Sequence, residues 1–219
     1  MLKINICKGY FFLISYNGNL INSLQRNLMN ASKNAILVVE FQKTWTQDSL
    51  FYRLIKKNYE KNGVLINSLN LLNTARSHKI SVIQSPFIID KSKKESYAKI
   101  PFLPKLLRQF VANTWKAEYT DGIFKEGDYE VTGRTSFDNT VDSNLVAILK
   151  KIGAETVYII GFTTDHCVAE TIDSLTVLGF KVVLVSDATA AILNSAQIKM
   201  EKKYNTITSN DLINKIKQA

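Results

Sequence analysis

The sequence predicts an α/β fold, a three-layer α/β/α arrangement around a six-stranded, mainly parallel sheet. Three observations carry that expectation. Short apolar, β-branched runs such as Ala35-Ile-Leu-Val-Val39 recur along the chain and alternate with stretches of helical spacing. The runs are continuous in polarity, as strands buried on both faces are. At 219 residues, 46% hydrophobic and 21% charged, the chain has the size and balance of one domain with a sizeable core.

Residues 1–29 are read as a leader with no assigned role, and residues 30–219 as the domain. The leader holds Tyr10-Phe-Phe-Leu-Ile14, far short of the ~20 apolar residues that span a bilayer. Lysines stand at positions 3 and 8, but no small-residue cleavage signal follows. The first strand is Ala35–Val39, ending in Glu40, and a polar stretch comes after it. Val64, Leu65, Leu69, Leu72 and Ala75 then predict a helix over Val64–Ser77. Ile80–Ser85 reads as the second strand, stopped by Pro86. Residues 88–127 form an irregular excursion, with a solvated loop at Asp90–Lys99 and a helix around Leu103–Ala112. So long an excursion in a compact domain is usually functional or a lid. Asp128–Thr132 is a short third strand, Val141–Lys151 a helix, and Thr156–Ile160 the fourth strand. A helix over Ala169–Leu178 is closed by Gly179. Lys181–Val185 is the fifth strand, Asn205–Thr208 a short sixth, and Asp211–Lys217 a final amphipathic helix.

The net charge of +9 raises the question of nucleic acid. The lysines are spread along the chain and interleaved with acids, which suits an enzyme surface better than a dedicated groove. The expected partner is a small-molecule substrate, with neither nucleic acid nor membrane. Two distant cysteines, Cys7 and Cys167, give no disulfide framework and point to a reducing, cytoplasmic compartment. With two histidines, they cannot supply a zinc cluster, so no metal or other cofactor is expected.

Sites in parallel sheets gather at the carboxyl ends of the strands. Glu40, Arg134 and Cys167 each follow a predicted strand at that end. Cys167 lies in Ile160-Gly-Phe-Thr-Thr-Asp-His-Cys-Val-Ala-Glu170, between a strand and a helix. A thiol in a first helical turn meets the positive end of the dipole, which favours the thiolate. Free N–H groups of the same turn can receive an oxyanion. A buried, inert cysteine is the competing reading. Glu40 needs a cation or a proton-accepting role if the cleft crowds it, and is otherwise a surface carboxylate. Arg134 can equally be half of a surface ion pair. Trp45, Phe87, Trp115 and Tyr119 are candidates for a pocket wall, or else for core. Gln42, Ser136, Asn139 and His166 complete the set of pocket candidates.

The stretch Gly161-Phe-Thr-Thr-Asp-His-Cys-Val168, followed by Gly179-Phe-Lys-Val-Val-Leu-Val-Ser-Asp-Ala-Thr-Ala190, resembles the signature of isochorismatase-like cysteine hydrolases. Ile36-Leu-Val-Val-Glu-Phe-Gln42 is similar to that family's first strand, which normally ends in Asp. The similarity runs from about Asn34 to the C-terminus and leaves out the leader. It implies an acid–cation–thiol triad, carried here by Glu40, Arg134 and Cys167 in place of Asp, Lys and Cys. It also implies a non-proline cis peptide at Phe162–Thr163, aiming the N–H groups of Thr163 and Cys167 at an oxyanion, and a homo-oligomer. Metal-binding nicotinamidases of the superfamily carry an Asp-x-His pair after the second strand; Ser85-Pro-Phe-Ile-Ile-Asp-Lys91 has no histidine. The expected function is therefore metal-independent hydrolysis of a C–N bond in a small amide or ureide through a thioester on Cys167. Two alternatives stay open: a vinyl ether hydrolase of isochorismatase type, in which Cys167 is dispensable, and a non-catalytic member that binds a ligand or partner.

Overall fold

The computed structural model describes residues 33–218; the leader and the domain boundary at residue 30 lie outside them. β1 spans Asn34–Val39 and is followed by a short helix, α1 (Lys43–Thr46), and by α2 (Leu50–Lys61) and α3 (Val64–Ser77). β2 (Ser81–Ser85) leads into the excursion, which carries α4 (Lys94–Lys99), α5 (Phe102–Leu107) and a 3-10 turn at Trp115–Ala117. Then come β3 (Tyr129–Glu130), α6 (Leu145–Lys151), β4 (Thr156–Phe162), α7 (Cys167–Val177), β5 (Lys181–Ala190), α8 (Asn194–Lys203), β6 (Thr206–Ile207) and α9 (Ser209–Gln218). The six strands form one sheet, every pairing parallel, in the order β3-β2-β1-β4-β5-β6.

Alternation along each strand feeds two cores. Ile36, Val38, Tyr158, Ile160, Val183 and Val185 face a layer that includes Leu71 and Leu72 of α3 and Leu212 of α9. Ala35, Leu37, Val39, Val157, Ile159 and Leu184 face the opposite layer, with Leu145 and Leu149 of α6 and Ile172 and Leu175 of α7. Both faces of the sheet are covered, which is why the strands read as unbroken apolar runs.

The polar stretch expected after Glu40 is helical instead. Ser49 caps α2 by accepting the N–H of Tyr52 at 3.1 Å, and Ile55, Asn58 and Tyr59 form its buried stripe. Lysines and asparagines around that stripe hide its period. The solvated segment Asp90–Lys99 also contains a helix, α4, none of whose residues is buried. The helix expected at Leu103–Ala112 stops earlier, where Arg108 turns left-handed at φ 51°. The helix expected from Ala169 begins at Cys167, which places the cysteine in its first turn.

Where the sheet reaches the carboxyl ends, β1 and β4 crowd together. Gly161 has φ +113°, and a Cβ built there would lie 1.9 Å from the carbonyl oxygen of Val39. Beside it β5 bulges. Ile159 pairs with Leu184, but Gly161 pairs with Thr189, so β5 runs on to Ala190, beyond the end expected at Val185. A Gly161→Ala substitution meets backbone on both counts and is expected to cost more than about 4 kcal/mol, or to prevent folding. Gly153 also has positive φ, +67°, but open space around it, so Gly153→Ala should cost only about 1 kcal/mol. Urea unfolding of the two variants checks the contrast.

Candidate active site

Glu40 is the first residue past β1 and sits at φ 52°. Its N–H donates to Ser85 O at 3.0 Å, and its carbonyl accepts the N–H of Gln42 at 2.6 Å. A non-glycine residue in this region costs about 1–3 kcal/mol and persists where its surroundings fix it. The turn aims the carboxylate inward. There Oε1 accepts Nη2 of Arg134 at 2.5 Å, and Oε2 accepts the indole N–H of Trp45 at 3.2 Å.

Arg134 reaches this point from the loop after β3. Its Nε donates to Ser136 O at 2.8 Å, Nη2 also to Phe137 O at 2.9 Å, and Nη1 to Ser85 O at 3.4 Å. Its guanidinium lies 4.9 Å from the ring centroid of Phe87. The side chains of the pair are 1% and 2% exposed. A buried charge pair is tolerated where further hydrogen bonds satisfy both partners, as they do here.

Cys167 opens α7 with 5% of its surface exposed, and its thiol interacts with both Glu40 and Arg134. Burial pushes the thiol well above its ordinary value, and the charge of Glu40 pushes it further in the same direction. Arg134 opposes them and is outweighed. Burial and the neighbouring carboxylate thus act against the thiolate, the form that a place in the first helical turn was expected to favour. Upstream, the Phe162–Thr163 peptide is cis. The Thr163 carbonyl accepts the N–H groups of His166 and Val168, at 3.1 and 3.2 Å, and passes over that of Cys167 between them.

The remaining candidates divide. Trp45 and Phe87 pack directly on the pair. Trp45 also stacks on Phe51 and on Phe162, centroids 4.6 and 5.8 Å apart, and Ser136 contributes its carbonyl to Arg134. Gln42 and Asn139 do not present free amides to a pocket. Gln42 accepts the N–H of Phe87 at 2.9 Å and donates to Phe87 O and Ala117 O at 3.2 and 2.8 Å. Asn139 donates to Thr171 Oγ1 at 2.7 Å and accepts the hydroxyl of Ser85. Thr171 in turn donates to Cys167 O at 2.6 Å. These two amides clamp backbone and tie β2 to the first turn of α7. The Trp115 ring, on the 3-10 turn, is exposed. So is the His166 side chain at 60%, facing Asp165 at 3.8 Å, a rim position rather than that of a base.

Ser85, Phe137 and Thr171 were not singled out from sequence. Two of them act through backbone carbonyls, which leave no mark in a sequence, and Thr171 resembles any helical threonine. A cavity of about 250 Å³ lies between the end of β2, β3 and α4; its lining includes Arg134 but neither Glu40 nor Cys167. Among the described residues no group of three or more His, Cys, Asp or Glu side chains is placed to hold a metal ion.

The model of the isochorismatase domain matches residues 34–209. Comparison with curated proteins gives no match. Among solved structures, the chain is similar to a cysteine hydrolase from Pseudomonas syringae pv. phaseolicola 1448A, with a TM-score of 0.72 and 18% identity over 86% of this chain and 94% of that one. An isochorismatase-like hydrolase from Alkaliphilus metalliredigens gives 0.67 and 18% over 84% and 98%. N-carbamoylsarcosine amidase from Thermoplasma acidophilum gives 0.66 and 20% over 81% and 96%.

Replacing Glu40 by Gln removes the negative neighbour of the thiol and leaves the guanidinium. The pH midpoint for alkylation of Cys167 is therefore expected to fall, although the wild type should react only at alkaline pH. The same variant strands a buried cation and should lose about 3–5 kcal/mol in urea melts. A pH series of iodoacetamide labelling, read by peptide mass, checks the direction.

Proposed function

Since the chain belongs to the isochorismatase family, we propose that it is a cysteine hydrolase cleaving a C–N bond in a small amide or ureide, with Cys167 as nucleophile. The observation that carries this reading is the thiol in the first turn of α7, within the electrostatic reach of a buried carboxylate–guanidinium pair. The similarity in fold to an enzyme whose name is N-carbamoylsarcosine amidase supports the substrate class.

The steps follow from the groups present. As sulfur attacks the carbonyl carbon, the thiol proton passes to the free lone pair of the Glu40 carboxylate, and the C–S bond forms. Burial that disfavours the thiolate suits this order, because a neighbouring base then takes the proton as the bond forms. The oxyanion that develops takes the N–H groups of Thr163 and Cys167. Collapse breaks the C–N bond, and the leaving nitrogen recovers the proton from Glu40. Water, giving its proton to Glu40, then attacks the thioester, and collapse of that intermediate returns the proton to sulfur. Arg134 keeps its proton throughout, since guanidinium does not release it. It holds the carboxylate in position and balances its charge. No step uses a metal ion.

Ammonia release measured over a panel of small primary amides and ureides tests the reading. Wild type should turn over at least one compound, and Cys167→Ala should lose about 10³-fold or more. Turnover unchanged in that variant sinks the proposal and favours a vinyl ether hydrolase that does not need the sulfur; no turnover by the wild type points to the binding member. Glu40→Asp draws the carboxylate back by about one bond length and should lower kcat about 10²-fold with little change in KM. Steady-state kinetics on the best substrate of the panel check that split.

A further inference from the structure

The excursion between β2 and β3 has two sides. Its inner side holds Phe110, which packs on Phe87 and Trp45 at 5.5 and 6.2 Å between centroids. It also holds Gln109, which accepts the hydroxyl of Thr44 at 2.7 Å. Its outer side does the opposite. On the six-residue helix α5, Phe102 is 74% exposed, Leu103 57% and Leu106 60%. Three bulky apolar side chains at i, i+1 and i+4 on so short a helix form one exposed apolar cluster and are not scattered surface residues. Lys105 folds back from the same helix, its ammonium 4.7 Å from the Tyr97 ring centroid and bonded to Ala98 O at 3.3 Å, so α4 lies against α5.

Charge is concentrated on this segment too. Residues 88–116 carry seven basic side chains against Asp90 and Glu95, a balance of +5 in a chain of +9. Lys91, Lys93, Lys94, Lys99 and Arg108 are exposed on the same segment. Of these, Lys99 and Lys93 have acidic neighbours in Asp142 and Asp90, at 3.0 and 4.0 Å.

We infer that the α4–α5 projection is a docking surface for an anionic lipid bilayer, with Phe102, Leu103 and Leu106 entering the headgroup region and the flanking lysines meeting lipid phosphates. Exposed apolar side chains on a segment with a net charge of +5 match an interface that is apolar inside and negative outside. Nucleic acid fits less well, since leucines offer no stacking face to a base. Among the described residues no helix is long and apolar enough to cross a membrane, and peripheral docking requires none. The inference concerns binding at a membrane surface only, and it does not depend on the catalytic proposal.

Sedimentation of the full chain with phosphatidylcholine vesicles, with and without phosphatidylglycerol, tests it. Binding should be confined to the anionic vesicles, and high salt should weaken it several-fold. Phe102→Ser, Leu103→Ser and Leu106→Ser together should reduce the partition about tenfold or more. Lys91→Glu, Lys93→Glu and Lys94→Glu together should reduce it comparably with the apolar cluster intact. Both variants should keep the wild-type circular dichroism spectrum. No binding to either vesicle overturns the inference, as does binding that survives both variants. Light scattering that shows a dimer lost on the serine substitutions, without vesicle binding, overturns it in favour of a second copy of this chain. Binding of a single-stranded RNA oligomer instead of vesicles overturns it in favour of nucleic acid.

Discussion

Two opposite charges shut away from water organise the carboxyl edge of the sheet. The Glu40–Arg134 pair draws on three strands: β1 supplies the acid, the loop after β3 the cation, and β2, through Ser85 O, an acceptor for both residues. Such a pair is weak evidence of stability by itself, because desolvation consumes much of its attraction. Its value lies in direction. The carbonyls of Ser136 and Phe137 and the indole of Trp45 fix both side chains, leaving little freedom in how the carboxylate approaches the sulfur. Gly161 serves the same end by letting β4 close on Val39, which sets the Cys167 turn beside the end of β1.

The fold was largely legible. Continuous β-branched runs located the strands, because burial on both faces demands apolar residues at every position, and the sheet is the expected six-stranded one. The helices of 43–61 were not legible, since lysines and asparagines surround the narrow stripe of Ile55, Asn58 and Tyr59. The bulge in β5 was also hidden: Ser186 and Asp187 look like the end of a strand, and only pairing with Gly161 and Phe162 shows that the chain returns.

At the site, strand-end positions pointed to Glu40, Arg134 and Cys167, the resemblance gave them roles, and the structure pairs Glu40 with Arg134. The burial that pushes the Cys167 thiol up did not follow from position, because desolvation is set by the packing of the whole cleft and not by the turn in which the residue stands. Nor could sequence separate amides that face a pocket from amides that hold backbone. Gln42 and Asn139 carry the same functional group a pocket would use, and its partners decide the role. Under the proposed mechanism the cation is a planar, permanently charged fork, which orients the carboxylate and exchanges no proton.

Gln42 holds the excursion by its two feet, binding Phe87 where the segment leaves the sheet and Ala117 near its return. The entropy of closing a loop rises only slowly with its length. With the anchor points fixed by one buried amide, the span between them can gain or lose residues at little thermodynamic penalty and without moving the reacting groups. The excursion is thus a natural module for divergence: what the molecule meets at its surface can be rewritten while its chemistry is inherited unchanged.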